Sequence, residues 1–362
     1  MSARGLHDAP EQSRSGVTSS AAANSGIARS GQGSATACAN IALAKYWGKA
    51  DRTLNLPAVE SISLTADSLK TETTVHFDSE LATDEVVLDG AFAEGRSAER
   101  ITRVLDWVRE EGGLRSRARV TTYNTFPTGA GLASSASGFA ALVGAAYQAA
   151  GLDVDAAQVS RRARRASASA ARSVFGGYVR LAAGLPGDDS LAAEPLFPAE
   201  HWPLRMLIAV VDRKKKATSS TDGMERTRLT SPFYDAWVAE APKYVEEIRQ
   251  GLAARDLERV GRFMERSTLA YMASALAADP GIVYWKGSTL DIYHRLRLER
   301  EELGLPVWMT MDAGPHVKAL CEEADADRVR ALMHTLDANI EEVIEVAPGP
   351  GLQLHTRHAS AC

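Results

Sequence analysis

An acidic residue at the end of an apolar run is the first feature of this sequence that could do chemistry. Residues 307–311 are apolar apart from Thr310, and Asp312 follows them directly, before Ala-Gly-Pro. An unpaired buried carboxylate is unfavourable, so such a group is normally paired, protonated or functional. The pattern is also compatible with a helix cap beyond a turn, and chemistry alone leaves both interpretations open.

A loop of small residues that opens a helix is the second candidate, FPTGAGLASSASGFAALVGAA. Glycines such as Gly129 and Gly131 permit close backbone approach, and the free N–H groups at a helix start attract phosphate. The hydroxyls of Ser134 and Ser135 add donors or a magnesium ligand. The loop has neither a Walker ending nor a GxGxxG spacing. By composition alone, tight packing of a Gly/Ala-rich helix explains it about as well.

Two lysines four residues apart, Lys45 and Lys49, enclose two aromatic residues and a glycine near the start of the chain. Ammonium groups at this spacing could gather anionic oxygens from one or two phosphates. Chemistry alone favours a strand end with two solvated lysines.

A serine–arginine segment, ASASAARSVFGGYVRL, brings Ser167, Ser169 and Arg172 close together in sequence. An arginine fork suits a carboxylate bidentately. An N-capped helix with an exposed arginine explains the segment equally simply. The basic runs at residues 161–165 and 214–216 are interpreted as solvated faces.

The order of these segments resembles the mevalonate diphosphate decarboxylase family of the GHMP kinase superfamily. The loop P-x-x-x-G-L-A-S-S-A is similar to the superfamily's ATP loop, and the stretch NIA…KYWGK…NLP precedes it. The segments S-x-S-A-x-R-S, S-S-T-x-G-M and T-x-D-A-G-P follow, and an APGPG turn ends at residue 351. The resemblance covers roughly residues 36 to 351.

The resemblance implies an α+β, two-domain GHMP kinase fold. A ribosomal-protein-S5-like α/β domain would come first and a ferredoxin-like α+β domain second, with the active site in the cleft between them. Residues 1–34 are predicted to be a disordered extension, because Ser, Ala and Gly dominate them. Residues 35–200 would form the ATP-binding domain, residues 201–351 the C-terminal domain and residues 352–362 a flexible tail.

The resemblance also implies roles for individual residues. The catalytic residues would be Asp312, Arg172 and Lys45. The substrate-binding residues would be Tyr46, Lys49, Ser167, Ser169 and Ser220. ATP would be bound by Gly129, Gly131, Ala133, Ser134, Ser135 and Asn124, with Mg²⁺ on Ser135.

The implied substrate is a phosphorylated mevalonate. Asp312 would remove or position the proton of its tertiary hydroxyl during phosphoryl transfer from ATP, Lys45 would balance charge, and Arg172 would hold the carboxylate. Loss of phosphate and CO₂ from mevalonate 5-diphosphate would give isopentenyl diphosphate. A decarboxylase of the monophosphate, a mevalonate 3-kinase and a catalytically silent GHMP metabolite-binding protein are the alternatives.

Several positions depart from the family pattern. Ala166 and Ala168 replace glycines, the pair Val59-Glu60 replaces Asn-Ser, and His316 replaces asparagine. An alanine forced to positive φ costs on the order of 1 kcal/mol. Glu60 would repel phosphate unless it points away or meets a lysine.

The elements that carry these residues follow from periodicity. Alternation predicts strands in SISLTAD, TETTVHFD, DEVVLDG, RARVTTYNTFP and RMLIAVVD. Helical spacing predicts helices in SAERITRVLDWVREEGG, SSASGFAALVGAAYQAAG, SPFYDAWVAEAPKYVEEIRQGLAARD and TLDIYHRLRLEREELG. A Pro/Asp/Glu-rich segment predicts that two α+β domains meet near residues 190–205.

Composition narrows the partners. The net charge of −5 argues against nucleic acid, and we expect no membrane segment because no apolar run approaches roughly 18 to 20 residues. Three scattered cysteines favour a reducing cytoplasm. A homodimer is expected from the family resemblance only.

Overall fold

A computed structural model describes residues 30–126, 134–214, 216–336 and 339–355. Its strands are β1 Gly31–Ala44, β2 Lys49–Asp51, β3 Leu56–Pro57, β4 Ser61–Asp78, β5 Glu85–Leu88, β6 Ala91–Phe92, β7 Arg117–Asn124, β8 Tyr178–Leu181, β9 Glu194–Phe197, β10 Leu204–Val210, β11 Trp308–Thr310, β12 Val317–Glu322, β13 Glu342–Val346 and β14 Gln353–Leu354. Its helices are α1 Gly95–Gly112, α2 Ser134–Ala150, α3 Ala156–Ala166, α4 Ser220–Thr230, α5 Tyr234–Ala254, α6 Leu257–Leu276, α7 Gly287–Leu303 and α8 Ala326–Thr335. Short 3₁₀ helices cover Ala168–Val174, Ala199–His201 and Glu323–Asp325.

The first half of the chain, joined by β14 from the C-terminal part, forms a sheet in the order β14-β1-β4-β7-β5-β6, with β8 paired to β4 and β9 paired to β8. The segments SISLTAD and TETTVHFD, predicted as strands, form one continuous strand, β4. The apolar side chains of α1, α2 and α3 share a core with this sheet, as alternating and helical spacing require. At Gly33 of β1 a Cβ would lie 2.3 Å from the carbonyl oxygen of Ala145, so α2 sits directly on the strand. The close packing that the Gly/Ala-rich composition of this helix allows is therefore present.

The second half forms an antiparallel sheet in the order β11-β12-β10-β13. Its core is continuous with side chains of α5, α6, α7 and α8, and three of these buried contributors are Trp237, Met264 and Leu296. Sequence reasoning predicted α5 and α7 but not α6 or α8. The described part of the chain contains no helix that is long and apolar enough to cross a membrane. The predicted two-part α+β arrangement is confirmed.

The core of the second half continues across the seam to β1 and β4, where it includes Leu43 and Leu64. Residues 347–355 then return to the first half. The amide of Ala347 donates to the Asp67 carboxylate at 3.0 Å, and β14 pairs with β1. The start of the predicted tail, through residue 355, is therefore part of the sheet, as are residues 31–34 of the predicted extension. Residues 1–29 and 356–362 lie outside the described residues.

The interpretation of residues 161–165 as a solvated face is wrong. The guanidinium groups of Arg162 and Arg165 are partly buried over the Trp107 ring, and Arg164 departs furthest from the prediction. Arg164 is fully buried and donates to the carbonyl oxygens of Leu54 and Leu191 and to the Asp189 carboxylate. A buried guanidinium is tolerated because these acceptors satisfy its donors. Arg164 thereby ties the β2–β3 hairpin and the loop at Asp189 to helix α3.

Candidate active site

A cleft of about 790 Å³ lies between the two halves of the fold. Among the described residues, its lining includes two carboxylates, those of Glu99 and Asp312. The positively charged side chains that line it are Lys45, Lys49, Arg52, Arg96, Arg100, Arg103, Arg165, Arg172 and Lys216. A cleft lined so strongly by one sign of charge concentrates ligands of the opposite sign. The arrangement suits a polyanion.

Asp312 lies just past β11 and faces this cleft, with a quarter of its side chain exposed. The Lys45 ammonium donates to Oδ1 at 2.6 Å, and the Lys318 ammonium donates to Oδ2 at 2.7 Å. Burial by itself raises the pKa of the Asp312 carboxyl, but the charges and hydrogen bonds of Lys318 and Lys45 outweigh it and hold the pKa well below its ordinary value. Burial lowers the pKa of the Lys45 ammonium to about 8, although Asp312 partly opposes this. The low pKa keeps the carboxylate ionised, and each of its two oxygens has an ammonium partner.

Helix α6 fixes the strand that leads to Asp312. One face of the helix, at a spacing of three residues, contacts three consecutive residues at the end of the strand and just beyond it. The Glu265 carboxylate accepts from the amide of Met309 at 2.9 Å, the hydroxyls of Thr268 and Thr310 are 2.9 Å apart, and the Tyr271 hydroxyl donates to the Met311 carbonyl at 3.2 Å. The same helix holds the other side of the pair, because the Ser267 hydroxyl accepts from the amide of Lys45 at 2.9 Å. Lys45 and Asp312 are thus positioned by a single helix.

Arg172 lies in the 3₁₀ helix and is buried at the cleft wall. Its guanidinium donates to the Ser61 hydroxyl at 2.5 Å, to the Ser63 hydroxyl at 3.0 Å and to the Asn40 side-chain oxygen at 3.1 Å. Burial lowers its pKa to about 10, a value that leaves it protonated at neutral pH. Because these partners are neutral, its positive charge is available to an anion in the cleft.

The other predicted substrate residues also line the cleft. The Lys49 ammonium donates to the Asn55 side-chain oxygen at 2.5 Å, and burial lowers its pKa to about 8. The Tyr46 hydroxyl is buried and has no hydrogen-bond partner within the described ranges, so it is ready to bind a ligand oxygen. The hydroxyls of Ser167 and Ser169 are 3.2 Å apart at the same wall.

Ser220 begins α4 and meets a lysine that sequence reasoning did not assign. The Lys216 ammonium donates to the Ser220 hydroxyl at 2.7 Å and to the Ala313 carbonyl at 3.0 Å. Burial lowers the pKa of Lys216 to about 8. The interpretation of this basic run as solvated holds for Lys214, which is exposed, and is wrong for Lys216. Lys215 lies outside the described residues.

The predicted nucleotide residues that the structure describes border a smaller cavity that adjoins the cleft. Ser134 and Ser135, at the start of α2, line both the cleft and a smaller adjoining cavity of about 210 Å³. Asn124 lines the smaller cavity and hydrogen-bonds Asp89 and Thr71. Apolar side chains supply much of its remaining wall: Leu88, Ile101, Val120, Phe139 and Leu142. Gly129, Gly131 and Ala133 lie outside the described residues.

Sequence reasoning missed Lys318, Lys216 and the arginines of α1. Arg96, Arg100 and Arg103 recur at helical spacing on the face of α1 that lines the cleft. The helical spacing of these arginines is visible in the sequence, but the prediction of α1 used only its apolar positions. No local pattern marks Lys318. It meets Asp312 only because the connection between β11 and β12 folds back and brings the two side chains together.

The departures from the family pattern are accommodated. Ala166 ends α3 and Ala168 begins the 3₁₀ helix, and neither has positive φ. Glu60 forms a bidentate pair with Arg180, at 2.6 and 2.7 Å, and does not line the cleft. Val59 belongs to the core. His316 is buried and its Nδ1 accepts from the amide of Val211 at 3.1 Å, a contact that secures the turn after Asp312.

Comparisons with known proteins agree with this geometry. Residues 37–192 match the family model of the diphosphomevalonate decarboxylase-like N-terminal domain, and residues 206–357 match the mevalonate 5-diphosphate decarboxylase C-terminal domain. The diphosphomevalonate decarboxylase of Candida albicans is 33% identical over 352 residues, which cover 88% of this chain and 97% of that protein. The phosphomevalonate decarboxylase of Haloferax volcanii is 33% identical over 85% of this chain and 93% of its own length.

A solved complex of MDDEF with MVAPP, AMPPCP and magnesium is 37% identical, with a TM-score of 0.85 and coverage of 91% of this chain and 100% of that chain. The family predicted from the motifs is confirmed, and the fold extends over both domains. This chain therefore belongs to the diphosphomevalonate decarboxylase family.

Proposed function

We propose that the cationic cleft is the active site in which mevalonate 5-diphosphate is phosphorylated by ATP and then decarboxylated. The chain is an ATP-dependent decarboxylase that uses ATP and Mg²⁺ and releases isopentenyl diphosphate, ADP, phosphate and CO₂. The observation that carries the assignment of the site is Asp312, an ionised carboxylate in a cleft lined mainly by cations and shared with Arg172.

The nucleotide would occupy the smaller cavity and the adjoining end of the cleft. The apolar slot suits a planar base, and Asn124 lies at its edge. Ser97, Arg100, Ser134 and Ser135 line both spaces, so a triphosphate can run from one to the other past the start of α2. The roles of Gly129, Gly131 and Ala133 remain predictions.

Asp312 would accept the hydrogen bond of the tertiary hydroxyl. Its low pKa makes it a weak base, so its main contribution is to orient the hydroxyl oxygen, and it takes up the proton only as the new P–O bond forms. Lys45 contributes a positive charge beside the transferred phosphoryl group. A lysine that can exchange one anionic partner for another is suited to this role.

Arg172 would hold the substrate carboxylate. When the phosphate leaves with the electrons of the C3–O bond, the electrons of the bond to the carboxylate carbon form the new double bond and CO₂ departs. A fixed carboxylate keeps the breaking C–C bond aligned with the leaving group. The neutral partners Asn40, Ser61 and Ser63 orient the guanidinium without cancelling its charge.

Mg²⁺ would be held by the phosphates of ATP and the Ser135 hydroxyl. Mg²⁺ prefers oxygen ligands and usually combines one or two protein ligands with phosphates and water, so a single hydroxyl at the cleft fits it. When bound, it would neutralise charge on the triphosphate.

The C5 diphosphate would be bound by Tyr46, Lys49, Ser167 and Ser169, with Ser220 and Lys216 on the opposite domain. Within the described residues the Tyr46 hydroxyl has no partner and Lys49 hydrogen-bonds the neutral side chain of Asn55, and both observations support this placement. A second phosphate adds negative charge to match a cleft in which the cations greatly outnumber the carboxylates.

One assay tests the proposal. Purified protein is given ATP, Mg²⁺ and either mevalonate 5-diphosphate or mevalonate 5-phosphate, and ADP, phosphate and CO₂ are measured together. We expect equal amounts of the three products from the diphosphate. ADP alone would identify a mevalonate 3-kinase, turnover of the monophosphate only would identify the other decarboxylase, and no turnover would identify a binding protein.

The matched variant is Asp312→Asn, which keeps the size of the side chain and removes its charge. We expect CO₂ release to be abolished while ATP still binds, because the hydroxyl loses the charged acceptor that can take up its proton. ATP binding is measured by titration calorimetry, and near-normal turnover would contradict the assignment of Asp312.

The family resemblance also predicts a homodimer and a cytoplasmic location. Both stay predictions. Light scattering of the purified chain over a range of concentrations tests the first, and a mass of one chain at every concentration would contradict it.

A further inference from the structure

Lys318 is a second lysine on the catalytic carboxylate, and it approaches from the protein interior. It lies on β12, where it pairs with Thr310 of β11 on one side and with Ile208 of β10 on the other. Its side chain is 2% exposed, and its ammonium donates to Oδ2 of Asp312 at 2.7 Å. A buried ammonium is unfavourable unless it is paired and hydrogen-bonded. Because β12 is hydrogen-bonded to a strand on each side, the backbone of Lys318 has little freedom to move.

The two lysines on Asp312 are equivalent in distance and in burial, at 3% and 2% exposed, and they differ in which one borders the cleft. Lys45 donates to Oδ1 and lines the cleft, whereas Lys318 donates to Oδ2 and is not among the residues that line it. A phosphoryl group that enters the cleft can therefore draw the Lys45 ammonium away from Oδ1. It has no comparable access to Lys318.

We propose that Lys318 is a positioning residue that holds Oδ2 of Asp312 from behind, so that Oδ1 can pass from Lys45 to the substrate hydroxyl. The inference rests on the proposed role of Asp312. With Lys318 in place, Asp312 keeps one hydrogen-bonded counter-ion throughout the reaction. Without it, a single ammonium has to serve both the carboxylate and the transferred phosphoryl group.

The charged groups around Asp312 support separate roles for Lys45 and Lys318. The groups that face it are Lys45 at the end of β1, Lys216 before α4, Arg172 in the 3₁₀ helix, Tyr271 on α6 and Lys318 on β12. Lys216 and Arg172 have partners of their own, so Lys45 and Lys318 are the hydrogen-bonded counter-ions. Loss of a cation at this distance raises the pKa of a carboxyl by roughly one to three units, and burial acts in the same direction.

The test compares Lys318→Met and Lys318→Gln with Lys318→Arg in the full chain. We expect the neutral variants to lose about 10²-fold in kcat, because the hydroxyl acceptor is no longer held in place, while KM for ATP and substrate changes little. In both neutral variants the acid limb of the plot of kcat/KM against pH should move to higher pH, because a carboxyl with a raised pKa is protonated at a higher pH. Lys318→Arg keeps the cation and should leave the acid limb near its wild-type position.

A readout independent of turnover is the infrared titration of protein labelled with ¹³C-aspartate, with Asp312→Asn used to assign the band. The Asp312 band should titrate at higher pH in Lys318→Gln than in the wild type. Lys243→Met removes an exposed lysine and controls for net charge, and thermal melts and ADP binding control for folding.

The outcomes separate two failures. If the wild-type protein releases no CO₂, the proposed function is wrong. An infrared band of Asp312 that does not shift in Lys318→Gln overturns the inference about Lys318, whatever the activity. If the wild type turns over and the folded Gln variant keeps the wild-type rate and acid limb, the inference is wrong and the function stands. If Lys318→Met does not fold, the comparison of Gln with Arg decides, and equal acid limbs in those two would overturn the proposal.

Discussion

At the scale of single residues, the chemistry of this site depends on which charges are compensated. Asp312 has two ammonium partners and is held ionised. Arg172 has only neutral partners and is held with its charge available. The same residue types elsewhere in the chain form closed pairs, such as Glu60 with Arg180, which leave nothing for a ligand.

Replacement of Arg172 by alanine tests the role of the available charge. We expect Arg172→Ala to lower CO₂ release by at least about 10²-fold, because the carboxylate is no longer aligned with the leaving phosphate. Arg180→Ala, which removes an arginine outside the cleft, is the matched control and should retain wild-type kcat. Steady-state assays of both variants measure the effect, and a rise in KM without loss of kcat would mean that Arg172 only binds substrate.

At the scale of elements, helix α6 connects packing to catalysis. Its residues at positions 265, 268 and 271 contact successive residues of the segment that ends at Asp312. Glu265 also pairs with Arg300, whose guanidinium donates to the carbonyl of Val307 and stacks on Trp308. At Gly261 a Cβ would lie 1.9 Å from the Trp308 ring, so the helix approaches the strand very closely. The register of strand and helix therefore sets where Asp312 lies.

Breaking the Glu265–Arg300 pair should affect both stability and rate. We expect Glu265→Gln to lower the free energy of unfolding by about 3 kcal/mol, because a mostly buried Arg300 loses its carboxylate partner. The exposed pair of Arg297 and Glu301 provides the control, and Glu301→Gln should change stability by less than about 1 kcal/mol.

The rate measurement distinguishes positioning from stability alone. Turnover per folded molecule, measured well below the melting temperature, should fall in Glu265→Gln through kcat, with ADP binding unchanged. Full activity of the folded variant would show that α6 stabilises the domain without positioning Asp312.

At the scale of the whole molecule, the end of the chain ties the two halves together. Residues 347–355 leave the second sheet and bond to β4, to the 3₁₀ helix and to β1. Gly349 lies directly against β4, where a Cβ would be 2.5 Å from the Cα of Asp67. The two walls of the cleft are therefore linked by backbone hydrogen bonds in addition to their shared core.

A methyl group at Gly349 should loosen this link. We expect Gly349→Ala to lower the free energy of unfolding by about 1–3 kcal/mol, because the clash is with backbone that cannot move aside cheaply. Gly287→Ala is the control, since a Cβ there meets no atom within 4 Å and the backbone has no positive φ. Denaturant titration of both variants measures the difference, and equal stability would contradict the tight contact seen at Gly349.

Much of this architecture could be predicted from the sequence, because it depends on local periodicity and on short motifs. Alternation and helical spacing predicted the strands β4, β5, β7 and β10 and the helices α1, α2, α5 and α7. The order of the motifs predicted the family, and the predicted site residues that fall within the described ranges line the cleft or its adjoining cavity. The glycine loop at residues 127–133 lies outside those ranges.

Only the tertiary structure decided which charged residues are buried and with which partners. Lys214 and Lys216 belong to one basic run, yet Lys214 is exposed and Lys216 reaches Ser220 at the cleft. Lys318 looks like any strand lysine until the β11–β12 connection places it behind Asp312. The sequence by itself determined the elements and the family, since these follow from local pattern. Burial and pairing of charge also depend on contacts between distant segments, such as those of Lys216 with the Ala313 carbonyl and of Lys45 with Asp312, and only the folded structure brings these together.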